Sequence, residues 1–86
     1  MRLYKIGKIY RPQTNAGIIA FDDYESCIGR SLGRRGYYDS KIITGHFLVI
    51  ENRISYNFRM FLNVLSEERL FWIDSTFLNL ESMDDF

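Results

Sequence analysis

Phe58-Arg59-Met60-Phe61-Leu62-Asn63-Val64-Leu65, followed by Ser66-Glu67-Glu68-Arg69 and then Leu70-Phe71-Trp72-Ile73, is the stretch that decides the architecture. Phe58, Met60, Leu62 and Val64 fall on one side of an extended chain, and Arg59, Phe61, Asn63 and Leu65 on the other. A period of two belongs to a strand, whose successive side chains point to opposite faces. The polar interval Ser66–Arg69 has the chemistry of a tight turn, so the two apolar runs read as an antiparallel hairpin.

Working outward, Asp74-Ser75-Thr76 is a second turn, and Phe77-Leu78-Asn79-Leu80 closes the domain. Upstream, Gly45–Ile50 reads as a strand ending in a polar turn at Glu51-Asn52-Arg53. Gly17–Phe21 is long enough for one buried strand. Leu3–Tyr10 alternates and then stops at Arg11-Pro12, since proline cannot donate to a ladder. Five short strands without a strongly amphipathic helix predict an all-β fold. Closing the sheet removes exposed backbone edges, so the expected form is a partly open five-stranded barrel. With 86 residues there is room for one domain. It is expected to span residues 1–80, with 81–86 a polar tail.

One segment departs from the strand pattern. Between Asp22 and Thr44 lie three glycines and three arginines with few aliphatic residues: Gly29-Arg30-Ser31-Leu32-Gly33-Arg34-Arg35-Gly36-Tyr37-Tyr38. Ile28 and Leu32 sit four apart behind Asp23, which can cap a helix, so one short helix fits inside this excursion. The remainder reads as a long loop insertion at about 22–44. Long excursions from compact domains are often functional.

Composition narrows the function. Eleven basic and eleven acidic residues cancel, which excludes a histone-like polycation and an acidic nucleic-acid mimic. The charge is nevertheless uneven: residues 1–35 hold seven basic and three acidic side chains, whereas 61–86 hold one basic and six acidic. Such asymmetry favours oriented docking on a charged partner. One cysteine, Cys27, allows no internal disulfide, and with one histidine, His46, no metal set is complete. No run reaches the about 18 apolar residues of a membrane-spanning helix. With no export signal at the N-terminus, a cytoplasmic protein that touches no membrane is expected.

Leu70-Phe71-Trp72-Ile73-Asp74-Ser75-Thr76-Phe77-Leu78 resembles the end of SH3-like barrels, where a tight hairpin is followed by Gly-Trp/Tyr-Ile/Val-Pro-x-Asn-Tyr-Val/Leu. Thr44–Ile50 is similar to the strand that opens the middle of such barrels. The resemblance covers about residues 42–80. It implies Ile73 in the core, Ser75-Thr76 in a short helical turn and Phe77 at the aromatic position. Asp74 stands where the peptide-groove proline would be, and Phe77 lacks the tyrosine hydroxyl, so binding of proline-rich ligands is not expected. The chain is also similar to the small SH3-like proteins of T-even-type phages. That likeness implies a viral protein that binds and modulates or inhibits a host protein, in the host cytoplasm.

Catalytic chemistry finds little support. Cys27 precedes a glycine–arginine run, but a phosphatase loop needs arginine six positions after the cysteine, where Gly33 stands. A P-loop needs lysine and Ser/Thr after its second glycine, where Arg34-Arg35 follow. No enzyme activity and no cofactor are expected. What remains is recognition. Tyrosine and arginine are enriched at interface hot spots, and guanidinium forks match carboxylate and phosphate oxygens. The expected partner site is Arg30, Arg34, Arg35, Tyr37 and Tyr38, with Trp72 and Phe77 as apolar anchors. Alternation with Ile73 predicts that Trp72 stands partly exposed on the outer wall. A single-stranded nucleic acid is the alternative ligand of the same Arg/Gly/Tyr loop, and a small anion or nucleotide a second alternative.

Overall fold

The computed structural model describes residues 4–55 and 57–83. Its elements are β1 (Ile9–Pro12), β2 (Ile18–Phe21), α1 (Tyr24–Ser31), β3 (Ser40–Ile43), β4 (Phe47–Ile54), β5 (Met60–Ser66), β6 (Arg69–Asp74) and β7 (Leu80–Ser82). The seven strands form one antiparallel sheet in the order β3-β2-β6-β5-β4-β1-β7. The sheet curls into a half-barrel and carries one short helix. The fold is therefore mostly β, and its open order leaves β3 and β7 as edges. Among the described residues, no helix is long and apolar enough to cross a membrane.

The β5–β6 hairpin forms as its alternation predicts, in register from Phe61 opposite Asp74 to Ser66 opposite Arg69. Glu67 and Glu68 make the two-residue turn with φ of 50° and 67°. A turn with both central residues at positive φ has the twist that matches flanking strands. Met60, Leu62, Val64 and Ile73 point into the half-barrel, where they join Phe47, Val49, Ile18, Ala20, Ile43, Phe71 and Leu80 in the main core. Tyr4 seals one end of this core. Its hydroxyl donates to the Leu78 carbonyl at 2.6 Å and accepts from the Leu80 amide at 3.0 Å, so the buried phenol leaves no polar atom orphaned.

Several expectations need correction. The sheet has seven strands instead of five, because Ser40–Ile43 pairs with β2 and Leu80–Ser82 pairs with β1. Glu81 and Ser82, expected in a polar tail, thus belong to the sheet, and Arg11 holds Glu81 at 3.0 Å. The rest of that expected tail, from Asp84 onward, lies outside the described residues, as does Leu3. The polar trio Glu51-Asn52-Arg53 is strand, not turn. A register shift between Val49 and Glu51 adds one residue to β4 and lets pairing continue to Ile54 opposite Met60. The polar side chains are accommodated: Asn52 Nδ2 donates to the Tyr4 carbonyl at 3.3 Å, and Arg53 pairs with Glu51 at 3.1 Å. Phe58 precedes β5 with φ of 63° instead of opening the strand. The first strand starts at Ile9, later than Leu3–Tyr10 implied.

The long insertion at about 22–44 is mostly ordered secondary structure. Asp23 caps α1, its Oδ1 accepting from the Ser26 amide at 2.8 Å, and the Ser26 hydroxyl together with this amide holds the carboxyl below its ordinary pKa. At the other end the Gly33 amide donates to Arg30 O at 3.2 Å and the Arg34 amide to Gly29 O at 2.9 Å. This is a Schellman motif, which needs a left-handed residue just past the cap; Gly33 supplies it with φ of 71°. The helix lies on the outer face of the sheet. There Phe21, Cys27, Phe61 and Trp72 make a second core, joined by Tyr24, Ile28 and Tyr38.

Candidate functional site

The helix decides which of the expected site residues reach solvent. Trp72 does not, because it is only 9% exposed. Alternation does send its indole to the outer face, but α1 covers that face, Tyr24 packs against it at 4.8 Å between ring centroids, and the Arg53 guanidinium lies 4.8 Å above it. The expectation of a partly exposed Trp72 is corrected for that reason. Cys27 is in the same layer, fully buried, and desolvation pushes its thiol up to about 12. At neutral pH it is a protonated packing residue with no thiolate to offer.

Tyr38 is also partly structural. Its ring sits over Gly29, where an added Cβ would come within 2.7 Å of the hydroxyl. The hydroxyl donates to the Arg34 carbonyl at 3.1 Å and lies 3.3 Å from that of Arg35. The close approach requires glycine on that face of the helix, and the ring then staples the α1–β3 connection back onto α1. Held this way, the connection displays Arg34, Arg35 and Tyr37. Tyr37 is 91% exposed.

The arginines among the described residues divide into two groups. Arg11, Arg53, Arg59 and Arg69 each hold a carboxylate, on Glu81, Glu51, Asp74 and Asp22 respectively. Arg30, Arg34 and Arg35 are exposed, and among the described residues none of them has a carboxylate within ion-pair distance. Unneutralised guanidinium groups on consecutive parts of one segment make a local positive surface on a chain with no net charge.

Beside the last turn of α1 a groove of about 440 Å³ opens between the helix, β2 and the chain after β6. Ile19, Phe21 and Leu78 supply its apolar surface, and Arg30, Ser31 and Asp74 its polar rim. Phe77, 85% exposed, stands beyond Leu78 at the neighbouring depression with Pro12 and Leu80, its ring 5.7 Å from the Arg59 guanidinium. Arg59 also grips Asp74 at 2.9 Å, and Asp74 Oδ1 accepts from the Thr76 amide at 3.0 Å. Arg30 thus reaches the groove, Phe77 flanks it, and Arg34, Arg35 and Tyr37 follow on from the helix end. Ile19, Asp74 and Leu78 were missed. A strict period of two along Ile18–Phe21 would have separated exposed Ile19 from buried Ile18 and Ala20.

Compared with known proteins, the chain matches no family model, no curated protein and no solved structure.

Proposed function

We propose that the chain is a non-enzymatic binding module that recognises an acidic protein surface through Arg30, Arg34, Arg35 and Tyr37, with Phe77 as an apolar neighbour. The observation that carries this reading is the division of the arginines. Those on the sheet are neutralised in place, whereas those on the α1–β3 segment carry their charge to solvent beside an almost fully exposed tyrosine. Arginine and tyrosine lose comparatively little freedom per contact made, which suits them to be anchors. A protein is favoured over a nucleic acid because the chain is neutral overall and, among the described residues, the unpaired arginines occupy one short segment, whereas tracking a phosphate backbone takes a longer positive path. A viral source and a host partner belong to this reading only as the likeness in size, aromatic content and hairpin to the small SH3-like proteins of T-even-type phages implies them.

Capture from lysate with the native chain and with an Arg34→Ala, Arg35→Ala, Tyr37→Ala variant tests it. The variant is expected to lose the partner, since truncating one hot-spot anchor costs about 2 kcal/mol or more. Identical partners on both would remove the segment from any role in binding. Salt-sensitive binding of single-stranded oligonucleotides by the native chain alone would move the reading to nucleic acid.

A further inference from the structure

We infer that the groove beside α1 is a peptide subsite that takes one large apolar side chain flanked by an aspartate or glutamate, the apolar group against Ile19, Phe21 and Leu78 and the carboxylate on Arg30. This rests on the binding-module reading and names the chemistry of its partner. The groove's volume of about 440 Å³ is on the scale of small-ligand sites, and apolar groups supply the larger part of its lining. Its charge is set by which rim groups are already engaged. Asp74 is held by Arg59 at 2.9 Å and accepts from Thr76, so its carboxylate is compensated within the fold. Arg30 has no carboxylate partner among the described residues.

Nor is Arg30 required to finish the helix. The carbonyls of Ile28, Gly29 and Arg30 already accept from the amides of Leu32, Arg34 and Gly33. The guanidinium is left as a donor fork at the mouth of an apolar groove, and the complement of that pair of features is a carboxylate next to a hydrophobic side chain. Ile19 extends the surface outward, since it pairs across strands with exposed Ile42.

The test is selection from a display library of random short peptides on the native chain, on Arg30→Glu and on Ile19→Ser. Both substituted side chains are exposed, and folding of each variant is checked by circular dichroism before selection. The native chain should enrich peptides that join Leu or Phe to Asp or Glu. Arg30→Glu should switch the preference to Leu or Phe beside Lys or Arg. Ile19→Ser should bind the best native peptide, synthesised and titrated, at least about tenfold more weakly. Enrichment of the same acidic peptides by Arg30→Glu, or of none by the native chain, would overturn the subsite. Peptides that keep binding Arg30→Glu but fail on the Arg34→Ala, Arg35→Ala, Tyr37→Ala variant would remove the groove and leave the exposed segment as the binding surface. Peptides held equally by every variant would remove both.

Discussion

The two faces of the β5–β6 hairpin are built on different terms. Inward, Met60, Leu62, Val64 and Ile73 meet side chains from strands across the half-barrel, so the curl of the sheet itself encloses them. Outward, Phe61 and Trp72 are covered chiefly by α1, through Tyr24, Cys27 and Ile28, with Phe21 of β2, Tyr38 and the Arg53 guanidinium beside them. The inner face is covered by many strands and the outer chiefly by one eight-residue helix. Such a helix is marginal in isolation and depends on its caps and its packing. The difference teaches that one face of the hairpin is buried by the sheet itself and the other largely by a segment whose opening would leave the sheet in place.

The largest expected effect is on the inner face. Leu62→Ala deletes fully buried atoms in the middle of the main core and should cost about 2–5 kcal/mol, read as a lower midpoint in chemical denaturation across every probe at once. A loss confined to the helix signal would break the comparison. Next comes Gly29→Ala. Its new methyl must displace the Tyr38 ring from 2.7 Å, an overpacking cost of about 1–3 kcal/mol. Hydrogen exchange should quicken in α1 and leave the β5 amides slow. Uniform quickening would show that the two faces are one cooperative unit.

The effect smallest at neutral pH sharpens the contrast in alkali. The Cys27 thiol is raised from the ordinary 9.0 to about 12 by burial, with Asp74 adding to the rise. Between those values the unfolded chain has released the proton and the folded chain has kept it, so stability falls as pH rises through the window and is unaffected below it. Cys27→Ser should abolish that part of the alkaline slope. At pH about 8 the native thiol should react with a disulfide reagent only as fast as α1 opens, and faster in Gly29→Ala. Immediate labelling of the native chain would mean that the outer layer is not closed.

Legibility in the sequence followed the same division. The alternation through Met60–Leu65 needs no information from elsewhere in the chain, because both faces of a central strand announce themselves by period. The helix was legible as Asp23 followed by Ile28 and Leu32, yet its effect on Trp72 was not. Whether an outward indole is wet depends on a segment some forty residues earlier in the chain settling onto it, and no local pattern encodes that contact. β3 was hidden because Ser40-Lys41 dilute a short run whose only strand neighbour is β2. Glu51-Asn52-Arg53 reads as a turn because the bulge at Ile50 breaks the period that would have marked the trio as strand. Of the site, the arginines were legible by type. Their separation into neutralised and free groups was not, since each ion pair on Arg11 or Arg69 joins residues distant in the chain.

β1 lies between β4 and β7, although the pairing of Arg11 with Glu81 spans 70 positions of the chain. During synthesis the middle strands can find one another as soon as they emerge, but β1 keeps one ladder of amides and carbonyls open until Leu80–Ser82 has left the ribosome. For that interval the nascent chain carries an adhesive margin that β7 later covers, and a stop introduced shortly before Leu80 would leave that margin bare.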